Sequence, residues 1–167
     1  MTSWQLSELV GAEPSSPFSA VFLNYVLPSA SVVSHLAKHA ARIVCADGGA
    51  NRLRDSGLDI VPDAIVGDLD SIREDVAAYY REKRVSIIED GDQYSTDMDK
   101  AVRWAIKQDP NDDIVIVASM GGRLDHSLSN INSAFTAKAN VKFFFVNSDC
   151  LGCLLLPVRA LFSFTSC

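Results

Sequence analysis

The stretch Pro62-Asp-Ala-Ile-Val-Gly-Asp-Leu-Asp-Ser71 decides the fold prediction. Residues 64–66 are typical of a short buried strand, and two carboxylates follow it at Asp68 and Asp70. Three other stretches also place acidic residues at or just before a predicted helix: Asp47-Gly48-Gly49, Ser95-Thr96-Asp97-Met98-Asp99 and Gly121-Gly122-Arg123-Leu124-Asp125-His126. In an open α/β sheet, such turns lie together on the one edge where ligands bind.

Short apolar runs alternate with helical patterns along the rest of the chain. The predicted strands cover residues 20–27, 42–46, 64–66, 85–88, 113–118 and 141–146. The predicted helices cover residues 31–39, 50–56, 73–83, 97–108 and 127–138. This alternation favours an α/β fold: an open, mostly parallel βαβ sheet with helices on both faces, a Rossmann-like nucleotide-binding layer architecture.

The bulk composition excludes several classes of protein. A length of 167 residues with 48% hydrophobic residues is enough for one globular domain. The net charge of −6 argues against a nucleic-acid partner, because such proteins neutralise phosphates with basic residues. We expect no membrane partner and a cytoplasmic location, since no stretch is typical of a membrane span or a secretory signal. Cys150 and Cys153 lack a second cysteine pair, so we interpret them as free thiols.

Asp68 and Asp70 are the strongest candidates for metal ligands. Residues two apart in an extended segment point to the same side, so the two carboxylates can share a hard divalent cation such as magnesium. The competing interpretation is a polar turn in which Asp70 or Ser71 caps the next helix, and it explains one acid better than two. Carboxylates on one edge repel each other unless a cation sits among them. Magnesium carrying a nucleotide polyphosphate is the natural candidate.

Asp97 and Asp99 open the clearest predicted helix. Acidic residues there also favour the positive end of the helix dipole, so a structural role competes with a functional one. Asp99 has a further explanation, since it can pair with Arg103 four residues on. We therefore prefer Asp97 as the functional residue.

Two glycine pairs, Gly48-Gly49 and Gly121-Gly122, indicate an anion-binding site. Glycines before a helix let backbone N–H groups approach phosphate, and Arg123 can bind phosphate oxygens with two prongs. The alternative is an ordinary turn with a solvated arginine. Gly48 and Gly49 taken by themselves are typical of an ordinary turn. They indicate a phosphate site only together with the other motifs. The P-loop and the Gly-x-Gly-x-x-Gly fingerprint are both missing, which excludes P-loop kinases and typical dinucleotide-binding dehydrogenases.

Together, four ordered motifs resemble the catalytic domain of thiamine pyrophosphokinase. They are Cys45-Ala-Asp-Gly-Gly-Ala-Asn51, Pro62-Asp-Ala-Ile-Val-Gly-Asp-Leu-Asp-Ser71, Asp92-Gln-Tyr-Ser-Thr-Asp-Met-Asp-Lys100 and Gly121-Gly-Arg-Leu-Asp-His126. The likeness runs from about residue 19 to residue 156. It implies transfer of a pyrophosphoryl group from ATP to the hydroxyl of thiamine, which gives thiamine diphosphate and AMP.

The resemblance also implies roles for single residues. Magnesium would be held by Asp68, Asp70 and Asp97. Phosphate and nucleotide contacts would lie near Asp47, Gly48, Gly49 and Arg123.

On the acceptor side, the resemblance implies a contact of Gln93 with the thiamine pyrimidine and makes Asp125 a further member of the acidic set. As a hypothesis, Asp97 or Asp125 orients the thiamine hydroxyl or accepts its proton.

The predicted domains are a flexible lead-in over residues 1–18, the catalytic domain over 19–149, and the start of a linking strand with a divergent tail over 150–167. Members of the resembled family continue into an all-β domain that supplies part of the thiamine pocket and much of the homodimer contact. We therefore expect a truncated form. Three functions stay open: an active thiamine pyrophosphokinase, a non-catalytic nucleotide-binding subunit or fragment, and a related pyrophosphokinase for another alcohol such as a pterin.

Overall fold

A computed structural model describes residues 6–121, 123–137 and 141–155. Within these ranges, one sheet contains seven strands: β1 Phe18–Phe22, β2 Arg42–Ala46, β3 Ala64–Gly67, β4 Ser86–Glu89, β5 Asp113–Val117, β6 Phe143–Val146 and β7 Leu151–Cys153. The α-helices are α1 Ala30–His39, α2 Gly49–Asp55, α3 Glu74–Glu82, α4 Asp97–Gln108 and α5 Leu124–Thr136. A short 3-10 helix, Leu6–Leu9, precedes them.

The strands lie in the order β4-β3-β2-β1-β5-β6-β7. All neighbours pair in parallel except β7, which runs antiparallel to β6. From β1 the chain passes to β2 on one side, and it returns later to place β5 on the other side. The order therefore reverses between β1 and β5, and ligands bind at the carboxyl ends of strands at such a switch point. The predicted α/β fold is confirmed.

The helices cover both faces of the sheet, as predicted. Alternate residues of β1 separate the two layers, since Phe18 and Phe22 pack with α1, α2 and α3 whereas Val21 packs with α4 and α5. The same alternation recurs in β5 and β6, whose apolar residues are buried on both faces. Continuous apolar runs are expected for strands inside a parallel sheet covered on both sides.

Most predicted boundaries lie within two residues of the observed ones, and two differ by three residues or more. The first strand ends at Phe22 rather than at residue 27, because the Tyr25 N–H donates to the Leu23 carbonyl oxygen at 2.9 Å and turns the chain. Helix α5 begins at Leu124 rather than at residue 127, since the Ser127 N–H already donates to the Arg123 carbonyl oxygen at 3.2 Å. The predicted end of this helix, residue 138, lies outside the described residues.

Residues in the described part of the amino-terminal stretch contact the domain. Leu9 is fully buried, and the His35 ring lies 2.9 Å from the Glu8 carbonyl oxygen. A Glu8 carboxylate oxygen accepts the Ser15 N–H at 2.8 Å. At the other end, β7 extends the sheet where the linking strand was predicted, and residues 156–167 lie outside the described part. The domain bounds stay predictions.

Three cysteines of the described chain are free, as predicted: Cys45, Cys150 and Cys153. Burial raises the pKa of the Cys45 thiol, so this side chain is an apolar core residue. Among the described helices, none combines the length and apolar character needed to cross a membrane.

Candidate active site

A cleft of about 580 Å³ opens at the carboxyl ends of the strands around the switch point. Its walls come from the segments after β1, β2, β3 and β5 and from the starts of α4 and α5. Lining residues include Asn24, Tyr25, Asp47, Gly48, Asp68, Ser71, Asp97, Ser119, Arg123 and Asn130. The predicted acidic turns therefore meet at one cleft, although their side chains differ in burial and in hydrogen-bond partners.

Three carboxylates form the acidic cluster, which we define as Asp47, Asp68 and Asp97. Each offers one oxygen atom, and these atoms all lie within 4.8 Å of one another. The residues come from the end of β2, the turn after β3 and the first turn of α4. Asp47 is buried, whereas the side chains of Asp68 and Asp97 are 33% and 34% exposed. The cluster therefore faces the cleft through Asp68 and Asp97.

Asp47 holds the turn after β3. Its Oδ2 accepts the Ser71 N–H at 3.0 Å, and its Oδ1 accepts the Ile72 N–H at 3.0 Å. Burial raises the pKa of this carboxyl, although the two backbone hydrogen bonds act in the opposite direction. The predicted nucleotide-contact residue thus has a structural role in positioning Asp68.

Asn51 of α2 supports the same turn from the other side. Its Nδ2 donates to the Ser71 carbonyl oxygen at 2.8 Å, and its Oδ1 accepts the Arg73 N–H at 3.0 Å. Side chains from β2 and α2 thus replace the backbone partners that this irregular segment lacks. The turn is held in place before any ligand arrives.

Glycines are required where the segments approach each other. A Cβ at Gly49 would overlap the carbonyl oxygen of Phe22, which is backbone and cannot move aside. A Cβ at Gly67 would overlap the Asp47 Cβ and lie 3.0 Å from Asp97 Oδ1. These contacts give the predicted glycine motifs a packing role at the cleft.

Sequence reasoning missed Lys100. This residue is 3% exposed, and its Nζ lies 3.3 Å from Asp97 Oδ1 and 3.8 Å from Asp68 Oδ2. The carboxylate pattern predicted a cation among these residues, and magnesium was the candidate named for it. The signal that could have found the lysine is its spacing, three residues after Asp97 on the same helix.

The two acids that begin α4 have different partners. Asp99 belongs to a capping box, because it accepts the Thr96 N–H at 2.9 Å while its own N–H donates to Thr96 Oγ1 at 3.2 Å. Arg103, the expected partner of Asp99, pairs with Asp90 and Asp92 instead. Asp97 is the acid of this helix that enters the acidic cluster.

Asp70 is not a member of the acidic cluster in the described structure. It is exposed, and its Oδ1 accepts the Ser71 hydroxyl at 2.7 Å. Of the three magnesium ligands implied by the resemblance, the structure therefore brings Asp68 and Asp97 together and leaves Asp70 outside.

The remaining predicted site residues lie on the surface. Arg123 lines the cleft and pairs with Asp125, with the two side chains 66% and 62% exposed. The Arg123 guanidinium lowers the pKa of the Asp125 carboxyl. Asp125 is therefore paired outside the acidic cluster it was expected to join. Gln93 is exposed, and its Nε2 donates to the Gly91 carbonyl oxygen at 3.4 Å. Gly122 lies outside the described residues.

The fold and the cleft define a class of protein: an α/β ligand-binding domain with a carboxylate-rich site at its topological switch point. A family comparison narrows the class, because the family described as "Thiamin pyrophosphokinase, catalytic domain" matches residues 33–145. The chain belongs to this family.

Individual relatives agree with the family match. The chain is 32% identical over 164 residues to thiamine pyrophosphokinase 1 of Oryza sativa subsp. japonica, an alignment that covers 87% of this chain and 61% of the relative. The solved thiamin pyrophosphokinase from Candida albicans is similar with a TM-score of 0.70 and 26% identity, over 81% of this chain and 60% of that one. The chain thus spans about 60% of the length of these relatives.

Proposed function

We propose that this chain is the ATP-binding and catalytic domain of a thiamine pyrophosphokinase. It would transfer pyrophosphate from ATP to the thiamine hydroxyl and release AMP. The observation that carries the proposal is the acidic cluster at the switch-point cleft of a domain that belongs to this family. Such a reaction asks the protein for positioning and charge neutralisation rather than for covalent chemistry.

The donor set of the acidic cluster fits magnesium. All three residues offer carboxylate oxygens, which are the ligands that magnesium prefers, and their oxygens lie within 4.8 Å of one another. Asp68 and Asp97 would hold the ion at the cleft, with Asp47 behind them and Asp70 as the further ligand that the resemblance implies. A bound magnesium ion would neutralise charge on the ATP phosphates during transfer.

The other wall of the cleft supplies candidates for binding ATP. Arg123 is exposed, and within the part of the chain that the structure describes its ion-pair partner is Asp125, so its guanidinium can turn to phosphate oxygens with two parallel hydrogen bonds. Gly48 lines the cleft beside Asp47, where the resemblance implies a nucleotide contact, as it does for the adjacent Gly49. The phosphates would thus lie between the acidic wall, which carries the acidic cluster, and an exposed cationic side chain on the other wall.

Family membership supports thiamine as the acceptor. Gln93 remains the proposed contact to the pyrimidine, and Asp97 or Asp125 the group that orients the hydroxyl or accepts its proton. Asp97 has the stronger support, because it lines the cleft and belongs to the acidic cluster. The homodimer and the cytoplasmic location stay predictions.

The proposal is tested by AMP release from ATP and magnesium, with and without thiamine, on the purified chain. We expect AMP release that depends on thiamine. ATP binding that requires magnesium but gives no AMP would favour the non-catalytic nucleotide-binding alternative. AMP release that requires a pterin alcohol instead of thiamine would identify the pterin as the acceptor.

A further inference from the structure

Lys100 has a role that the proposed reaction does not describe. We propose that Lys100 is the built-in counter-ion of the acidic cluster: it holds Asp68 and Asp97 in place before a metal ion binds and sets the charge that the ion meets. The inference rests on the proposed metal role of the acidic cluster. Lys100 is in this account a positioning residue, because it acts through the two carboxylates.

Burial and distance carry the inference. A lysine side chain is almost never fully buried unless it is paired, since taking its charge out of water is costly. Lys100 is 3% exposed, and its ammonium group lies 3.3 Å from Asp97 Oδ1 and 3.8 Å from Asp68 Oδ2. Helix α4 packs on β2 and β3, which fixes the lysine against the two elements that carry Asp47 and Asp68.

Neighbouring arginines do not replace Lys100. Arg103 pairs with Asp90 and Asp92, and Arg123 pairs with Asp125. Among the described residues, Lys100 is therefore the cation that forms ion pairs with the acidic cluster. Three carboxylates and one ammonium carry a formal charge of −2, so the acidic cluster still attracts a cation with the lysine in place.

Removal of this charge has two opposite consequences. Without a metal ion, the carboxylates lose their partner, so the cluster repels itself and the fold is weakened. With a metal ion, the site is more negative and no longer repels the ion through the ammonium, so binding tightens. A lysine that only fills space would weaken the fold without tightening the binding of a cation.

The test uses Lys100→Met, which keeps most of the side-chain volume and removes the charge. Manganese alone, without nucleotide, is titrated into the full chain, and free manganese is measured by electron paramagnetic resonance. We expect the dissociation constant of Lys100→Met to fall on the order of tenfold, and its metal-free Tm to fall below that of the native chain. Saturating manganese should restore much of the lost Tm.

Lys107→Met is the matched control. Lys107 is exposed on the last turn of the same helix, so the variant makes the same change of charge away from the acidic cluster. We expect its manganese affinity and Tm to match those of the native chain. Lys100→Gln, which removes the charge but keeps a polar end, should shift both quantities in the same directions as Lys100→Met.

Three results would overturn the inference: unchanged or weaker manganese binding in both Lys100 variants, failure of both to fold at saturating manganese, or no manganese binding by the native chain. None of these measurements uses ATP or thiamine. A chain that binds manganese as expected but releases no AMP would contradict the proposed transferase activity and leave the role of Lys100 standing.

Discussion

The two walls of the cleft are built in different ways. On one wall, the acidic cluster lies on buried elements, and Asp47, Asn51 and Lys100 fix the segments that carry it. On the other wall, Arg123 and Asp125 are exposed and pair with each other. The acidic wall is therefore held by contacts within the protein, whereas the other wall presents an exposed charged side chain to a ligand.

Helix α5 extends the contrast. Its exposed apolar residues recur at helical spacing, at Leu124, Leu128, Ile131 and Phe135. Helix α4 instead turns its apolar residues to the sheet. A contiguous exposed apolar face is typical of an interaction surface. The acidic wall therefore belongs to the core of the domain, while the α5 wall belongs to its surface.

The largest effect should come from the acidic wall. We expect Asp68→Asn and Asp97→Asn each to lower thiamine-dependent AMP release by about a hundredfold or more, because a metal ligand is lost. Asp70→Asn should lower AMP release by a smaller factor, since Asp70 lies outside the acidic cluster. Asp99→Asn is the control, because it makes the same charge change in the same helical turn. Near-normal turnover of Asp68→Asn at saturating magnesium would contradict the metal assignment.

The next effect concerns stability rather than turnover. Asp47→Asn should lower the free energy of unfolding by about 2 kcal/mol, because one of two partly buried backbone N–H groups would face an amide NH₂ instead of an oxygen. Urea denaturation in the absence of metal measures this change in the free energy of unfolding. Asp70→Asn serves as the comparison and should change stability little. Equal stability of the two variants would mean that Asp47 does not hold the turn.

Substitutions on the α5 wall should affect the binding of ATP rather than stability. Arg123→Ala should raise the KM for ATP on the order of tenfold with only a slight change in Tm, because an exposed ion pair contributes little to stability. The KM for ATP of Arg123→Lys should lie between those of the native chain and Arg123→Ala, since lysine keeps the charge but loses the forked geometry. Arg81→Ala, which breaks an exposed pair on α3, is the control. A lowered Tm with an unchanged KM would show that Arg123 is structural.

The smallest effect is a pH dependence. Arg123 lowers the pKa of Asp125 in the folded chain. The pair therefore supports the fold above the ordinary aspartate pKa of 3.8, and this support is lost as the pH falls through the lowered value. Asp125→Asn should therefore lower Tm slightly at pH 7, and this difference should shrink towards pH 3, as measured by Tm across that range. A Tm difference that persists unchanged to the acid end would contradict the ion pair.

Local patterns were enough to predict the alternation of strands and helices, because apolar runs and turn residues are near in sequence to the elements they define. The first strand was predicted too long, since the largely apolar stretch 23–27 continues past the point where the chain turns. The bounds of α4 agree with the prediction because the Thr96 capping box and the following Asp109-Pro110 are themselves local signals.

The internal organisation of the cleft could not be predicted in the same way. Lysine on a helix is usually exposed, and Lys100 is buried only because α4 packs on β2 and β3. Asp47 accepts hydrogen bonds from residues 24 and 25 positions further along the chain, which no local pattern reveals. The Arg123–Asp125 pair is local, but its formation depends on side-chain conformations that spacing does not determine.

We expect the acidic wall to bind the nucleotide through a divalent cation. Calorimetric titration of ATP into the native chain, with and without magnesium, tests it most directly when Asp97→Asn and Asp99→Asn are measured beside it. We expect ATP binding that requires magnesium, is lost in Asp97→Asn and is retained in Asp99→Asn. ATP binding of equal strength without magnesium, or in Asp97→Asn, would contradict the claim.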